Sequence, residues 1–132
     1  MSTINIIIGA SSDHFGAYAE NCVGVYGAGN TVEEAKENVL KGLELFINSR
    51  EKKELPEILQ GEYTISYKYD TISFLNYYNN IFTDMGFKKI TGINQKVLHN
   101  YSSGVTELPE REKKKIEMAL HQLGNELLAV RL

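Results

Sequence analysis

The chain has 132 residues, of which 42% are apolar and 23% are charged, and its formal net charge is −3. This length suits one ordinary domain or two very small ones, and the apolar fraction is sufficient for a core, which excludes a wholly disordered chain. The single cysteine, Cys22, excludes an internal disulfide framework and a thiolate zinc cluster. With no apolar run near the roughly 20 residues of a membrane span and no secretion signal at residues 4–10, we expect a soluble cytoplasmic protein.

The two halves of the chain differ in charge. Residues 1–70 carry 6 Lys plus Arg against 11 Asp plus Glu, a net of −5, whereas residues 71–132 carry 8 against 6, a net of +2. This asymmetry indicates two modules with different partners, with the boundary after residue 70.

The first module is predicted to be an α+β sheet. Residues 4–10 form a β-branched run and residues 15–20 alternate in polarity, so the turn cluster Ser11, Ser12 and Asp13 between them predicts an antiparallel hairpin. A short third strand is expected over residues 22–27, with Val23 and Val25 on one face.

A helix and a fourth strand complete this module. Thr31 has Glu34 three residues later, which is the capping box of a helix start, and apolar residues recur at helical spacing as far as Asn48. Residues 63–69 alternate as a strand. The predicted order is β-β-β-α-β, with the helix packed on one sheet face.

The second module is predicted to be all-helical. One helix spans residues 72–82, and a short helix with Phe87 and Ile90 on its apolar face breaks at Gly92. Asn94 is placed to cap a helix of about ten residues that ends before Gly104. A last helix starts at Pro109, with a buried stripe at Ile116, Ala119, Leu120 and Leu123. After Gly124, the apolar tail at residues 127–132 is expected to pack on the core or on a second subunit.

The helix after Asn94 has a polar face without acids. Helical spacing turns Ile93, Val97, Leu98 and Tyr101 inward, which leaves outward Gln95, Lys96, His99, Asn100 and Ser103. Amide side chains pair bidentately with adenine in the major groove, so this face is a candidate DNA-reading surface.

Residues 92–104, Gly-Ile-Asn-Gln-Lys-Val-Leu-His-Asn-Tyr-Ser-Ser-Gly, resemble the turn and recognition helix of Xre or Cro-type helix-turn-helix repressors. The resemblance implies that the residues facing base edges are Gln95, Lys96, Val97 and Asn100, and that Ser103 and the following loop lie near phosphate. Where that family usually has a small residue at the contact between the two helices, this chain has Lys88. Because one helix makes few phosphate contacts, we expect a homodimer or higher oligomer to bind a palindromic operator.

Residues 16–20 and 24–39 resemble the N-terminal domain of HicB-type antitoxins, which joins a small partial RNase H-like sheet to a C-terminal DNA-binding module. The resemblance implies a partner, a HicA-like toxin, which is a small ribonuclease with a catalytic histidine. The sheet and its loops would cover the toxin's RNA surface, with acidic side chains in place of phosphates.

Enzymatic alternatives have weaker signals. His14, His99 and His121 lie on three different predicted elements without metal-site spacing, and Gly27-Ala28-Gly29 is typical of a tight turn rather than a phosphate loop. An RNase H-like metal site needs several carboxylates, but the strands offer only Asp13 and Glu20. We therefore expect neither enzyme activity nor a cofactor. The alternatives are a ligand-responsive repressor without a toxin partner and a residual Mg²⁺-dependent ribonuclease.

Overall fold

The computed structural model describes residues 1–11 and 13–132. These described residues form four strands and five α-helices, with two 3₁₀ turns at Lys52–Glu54 and Glu57–Leu59. The elements are β1 (Ser2–Ala10), β2 (Phe15–Ala19), β3 (Tyr26–Gly29), α1 (Val32–Asn48), β4 (Tyr63–Tyr69), α2 (Thr71–Tyr78), α3 (Asp84–Thr91), α4 (Gln95–Ser102) and α5 (Glu110–Leu128). The fold class is mixed α+β.

The chain divides into two compact units, Met1–Phe74 and Leu75–Leu132. The division lies inside α2, whereas the boundary expected after residue 70 is at the start of that helix. A sequence pattern marks where a helix starts, but it does not show how the residues of that helix are shared between two compact units.

The first unit contains a mixed sheet with the strand order β3-β2-β1-β4. The hairpin β1–β2 is antiparallel, with Ile6 opposite Ala19, as the alternation of residues 15–20 predicts. Ser12, in the predicted turn between these strands, lies outside the described residues. Strand β4 pairs with β1 in parallel, with Ile4 opposite Ile65, because the chain passes through α1 before it returns to the sheet.

Helix α1 covers one face of this sheet. It starts where the capping box predicts, since the Thr31 hydroxyl accepts a hydrogen bond of 3.0 Å from the Glu34 N–H. Its buried stripe, Ala35, Val39 and Leu43, belongs to the same hydrophobic core as the buried isoleucines of β1, namely Ile4, Ile6 and Ile8. A Cβ at Gly27 would overlap the Val39 backbone, so α1 lies directly against the backbone of β3.

The third strand is not where the sequence predicts it. The expectation of a strand over residues 22–27 with Val23 and Val25 on one face is wrong, because Val23 is 91% exposed and Val25 is 2% exposed. Gly24 lies between them with φ +94°, which turns the chain. The strand begins only after this turn, at Tyr26.

The second unit is all-helical, with two departures from prediction. The first helix ends at Tyr78 rather than Phe82, and the Phe82 ring instead lies between Tyr78 and Phe87, with ring centroids 6.4 Å and 5.7 Å away. Helix α5 begins after Pro109, as predicted, but continues through Gly124 to Leu128. In α5, Ile116 is buried, while Ala119, Leu120 and Leu123 are half-buried.

The apolar C-terminal segment is exposed. The exposed fractions of Leu127, Leu128 and Val130 are 61%, 86% and 56%. The expectation that this tail packs on the core of its own chain is therefore wrong, since packing there would bury these side chains, and packing on a second subunit stays a prediction. None of the described helices combines the length and the apolar character needed to cross a membrane.

Candidate nucleic-acid interface

Helix α3 ends in a left-handed glycine. It starts with the Thr83 hydroxyl accepting a 2.9 Å hydrogen bond from the Gly86 N–H. At its end Gly92 has φ +74°, and its N–H donates to the Lys88 carbonyl at 2.7 Å. The break predicted at Gly92 is present because only glycine takes this conformation without a Cβ clash.

Thr91 locks the chain that joins α3 to α4. Its side chain is buried, and its hydroxyl donates to the Phe87 carbonyl at 2.7 Å and accepts from the Ile93 N–H at 3.2 Å. Helical periodicity alone does not reveal this residue, although a threonine directly before a helix-ending glycine is a usable signal for a side-chain hydrogen bond to the backbone. The turn is thus held by one buried hydroxyl as well as by the glycine.

Asn94 caps α4 as predicted. Its side-chain oxygen accepts a 2.8 Å hydrogen bond from the Lys96 N–H, which satisfies one of the free donors of the first turn. Helix α4 has 8 residues, slightly fewer than the expected ten or so, and Gly104 follows its cap residue with φ +79°. The Asn76 side chain donates to the Ser102 carbonyl at 3.0 Å and so ties α2 to the end of α4.

The inward face of α4 is narrower than predicted. Leu98, Tyr101 and the preceding Ile93 are buried, but Val97 is 38% exposed, so the expectation that Val97 faces the core is wrong. At 100° per residue, Val97 lies about 100° from Leu98, at the edge of the apolar stripe. Its exposed surface instead extends the outward face.

All six candidate DNA-contacting residues have access to solvent. Lys96, His99 and Ser103 are exposed opposite the buried stripe, Gln95 and Asn100 are half-buried beside it, and Val97 is at its edge. Helix α4 carries no acid in its first turn. The outward surface of α4 therefore combines two amides, a hydroxyl, an imidazole and one cation.

Lysines on α3 and α5 add positive charge to the second unit. Lys88 and Lys89 are exposed on α3, and a Cβ at Gly92 would lie 3.9 Å from the Lys115 ammonium. In contrast, Lys113 and Lys114 pair within α5 with Glu110 and Glu117, at 3.1 Å and 3.8 Å. Of the lysine run on α5, Lys115 is the residue that the structure places beside the turn.

Lys88 does not lie in a buried contact between helices. The buried residues of α3 are Phe87 and Thr91, while Lys88 is exposed. Its ammonium is thus available to solvent, and the small residue of the repressor pattern has no structural equivalent at this position.

The first unit presents a sheet face that α1 does not cover. One row across all four strands reads Tyr26, Tyr18, Ile7 and Lys68, and the two tyrosines are 73% and 51% exposed. The strand residues on this face include no carboxylate. Seven of the exposed acids of this unit lie instead on α1, at Glu33, Glu34, Glu37 and Glu44, and on the segment after it, at Glu51, Glu54 and Glu57.

An apolar groove runs between α1 and β4 of the same unit. Its volume is about 300 Å³, and it is lined by Leu40, Leu43, Glu44, Ile47, Asn48, Tyr63 and Ile65. The lining is mostly apolar, with one carboxylate and one amide from α1.

The residues Ser11, Asp13 and His14 form a hydrogen-bonded cluster at the hairpin turn. The Ser11 hydroxyl and the Asp13 carboxylate both lie 2.7 Å from the same His14 nitrogen, Nδ1. A catalytic triad uses the two different ring nitrogens, so this arrangement does not relay a proton from serine to aspartate. The hydrogen bond from His14, and then its charge, lower the pKa of the exposed Asp13 below 3.8.

Other candidate chemistry is dispersed. His99 lies on α4 and His121 on α5, far in sequence from His14. Across residues 1–11 and 13–132, no three His, Cys, Asp or Glu side chains are grouped so that they could hold a metal ion. Cys22 is buried, and this burial raises the pKa of its thiol.

No known protein family, curated protein or solved structure matches this chain.

Proposed function

We propose that the chain is the antitoxin of a type II toxin–antitoxin system. Its first unit binds and blocks a HicA-like ribonuclease that cleaves mRNA, and its second unit represses the operon that encodes both proteins. The observation that supports this proposal best is the capped, acid-free helix α4, carried on the same chain as a unit whose exposed helix is acidic.

The DNA half of the proposal depends on the size and the side chains of α4. Eight residues give a helix of about 12 Å, which fits the width of the major groove. Gln95 and Asn100 would read adenine through their amides, while Lys96 and Ser103 would contact phosphate. In this interpretation α3, the turn at Gly92 and α4 act as a helix-turn-helix.

A second copy is part of this half of the proposal. One short helix neutralises few phosphates, so useful affinity requires two copies on a palindrome, one DNA turn apart. The exposed apolar residues at the end of α5, Leu127, Leu128 and Val130, offer a surface on which a second subunit would bury them.

The toxin half depends on charge. A protein that binds RNA presents a basic surface, and the carboxylates of Glu33, Glu37 and Glu44 on α1 would occupy the places of RNA phosphates on it. The partial RNase H-like sheet, in this proposal, is a binding scaffold and not a nuclease. The complex would form in the cytoplasm, where mRNA is cleaved.

The DNA half is tested with a DNA fragment from the region upstream of the gene that encodes this chain. Gln95→Ala and Asn100→Ala each weaken binding by about 1–3 kcal/mol and leave toxin neutralisation intact, because each removes a groove contact and neither residue belongs to the buried core. Gln122→Ala, an exposed amide on α5, is the matched control and binds like the unchanged chain. If both α4 variants bind the DNA fragment with unchanged affinity, α4 is not the recognition helix.

One rival function has a structural observation in its favour. The groove of about 300 Å³ between α1 and β4 has a mostly apolar lining, which a ligand-responsive repressor would use to hold a small apolar ligand. Co-purification with the protein encoded next to its gene favours the antitoxin, whereas operator release by a small molecule favours the rival. A ribonuclease instead predicts Mg²⁺-dependent RNA cleavage that Asp13→Ala abolishes.

A further inference from the structure

The two edges of the sheet differ. Strand β3 has 4 residues and lies beneath α1, which contacts its backbone at Gly27 and Gly29. Strand β4 has 7 residues, contains no proline, and pairs only on its β1 side in the described sheet. A long regular edge of this kind is a template for another strand.

The outward backbone groups of β4 can be identified from its bonds to β1. The Glu62 carbonyl accepts from the Ser2 N–H at 3.2 Å, and the Asp70 N–H donates to the Ile8 carbonyl at 2.7 Å. Because the backbone groups of successive strand residues point to opposite sides, Tyr63, Ile65 and Tyr67 direct theirs away from β1. None of the described residues makes a backbone hydrogen bond to these groups on that side.

Apolar side chains flank this edge. Tyr63 and Ile65 line the groove together with Leu40 and Ile47 of α1. The ring of Tyr67 is 36% exposed, with the Lys36 ammonium 4.7 Å from its centroid. A strand added here would therefore bond to free backbone groups and cover apolar surface in one step.

We infer that the strand added at this edge is β4 of a second copy of the chain. An antiparallel pair with its two-fold axis at Ile65 places Tyr63 opposite Tyr67, Thr64 opposite Ser66, and Glu62 opposite Lys68 of the second copy. The outward backbone groups then meet one another, as a hydrogen-bonded antiparallel pair requires.

Charge selects both the occupant and the register. Glu62 and Lys68 are exposed, and neither side chain forms a salt bridge with a described residue of its own chain. In the pair centred at Ile65, the two-fold axis creates two Glu62–Lys68 pairs between the copies. Moving the axis to Ser66 places Lys68 opposite Thr64 and loses both charge pairs.

The resulting dimer has a continuous eight-stranded sheet with both copies of α1 on the same face. The two grooves between α1 and β4 then adjoin across the axis and share their apolar lining. This association depends only on the first unit and is independent of the function proposed above.

The test reverses the charges in the full chain and measures its mass in solution by analytical ultracentrifugation. Glu62→Lys and Lys68→Glu, each alone, replace two attractive pairs by two repulsive pairs and weaken this association roughly tenfold or more. The double variant, with both changes, restores it. Glu37→Lys and Lys41→Glu, which make the same charge changes on the outer side of α1, are the matched controls and leave it unchanged.

The restored association in the double variant separates a pairing between copies from loss of folding, which circular dichroism of each variant checks independently. A monomeric unchanged chain would overturn the inference. Single charge reversals that keep the original mass would also overturn it and would leave the edge to a peptide or small ligand. A double variant that fails to reassociate would overturn it as well.

Discussion

Replacing Thr91 by valine tests how the turn before α4 is held. Valine keeps the shape of threonine but removes the hydroxyl, which accepts from the Ile93 N–H at 3.2 Å and donates to the Phe87 carbonyl at 2.7 Å. The Phe87 carbonyl still accepts the helical hydrogen bond from the Thr91 N–H. Losing the second hydrogen bond, from the hydroxyl, therefore costs this carbonyl little. The Ile93 N–H, in contrast, loses its partner next to a buried side chain.

A buried donor without a partner costs about 1–3 kcal/mol, and the lost bond to Phe87 adds roughly 0.5–1.5 kcal/mol. Burying one extra methyl group returns about 0.8 kcal/mol, so we expect Thr91→Val to lower the free energy of unfolding of the second unit by about 2 kcal/mol. Thr91→Ser, which keeps the hydroxyl and loses one methyl group, should cost less.

Hydrogen exchange of the α4 amides, compared with amides of β1, measures this loss in the second unit separately from the first. Denaturant unfolding of the whole chain mixes the two units and is less suitable. A valine variant within about 0.5 kcal/mol of the unchanged chain, or a serine variant that is equally destabilised, would refute the role assigned to the hydroxyl.

Substitutions at Gly27, Lys96 and His14 give three further predictions. Gly27→Ala forces α1 away from β3 and should lower the free energy of unfolding of the first unit by about 1–3 kcal/mol, whereas Gly16→Ala, with open space around its Cβ, should stay within about 0.5 kcal/mol in denaturant unfolding. Lys96→Ala should reduce the slope of log affinity against log salt concentration by about 1 in an operator titration. An unchanged slope would show that Lys96 does not contact phosphate. His14→Ala should raise the pKa of Asp13 toward 3.8 in an NMR titration, since His14 is the main cause of the lowered value. The stabilisation linked to that lowered pKa is present above pH 3.8 and is lost as the pH falls below it.

Local signals predicted the capped elements well. Thr31 and Asn94 each accept the hydrogen bond expected of a cap residue, and Gly92 and Gly104 take the positive φ expected after a helix. These features depend on a few neighbouring residues and on one side chain or the absence of one, so the sequence is enough to find them.

A turn, a strand pairing and the extent of the last helix were not predicted. The alternation of Val23 and Val25 indicated a strand face, but the turn at Gly24 places the two side chains in opposite environments. The parallel pairing of β4 with β1 joins residues about sixty positions apart, and no local period encodes such a partner. Helix α5 continues through Gly124 to Leu128, because one glycine costs a helix only about 1 kcal/mol when its neighbours are good helix formers.

The candidate DNA-contacting face was predictable as a set of polar positions, but its edges were not. Val97 was assigned to the interior by helical spacing and to the DNA face by resemblance to repressors, and its exposure of 38% lies between the two. Thr91 was overlooked because its hydrogen bonds join the end of α3 to the residue after the glycine, and periodicity does not register such contacts.

Helix α1 is seated unevenly on its sheet. At β3, glycine backbone touches helix backbone, so there is no side chain whose rotamer could adjust, whereas at β4 long side chains border an open groove. The helix consequently has a fixed hinge line along one margin and a compliant margin along the other. We therefore expect a displacement of β4 to tilt α1 about its contact with β3, while that contact stays in place.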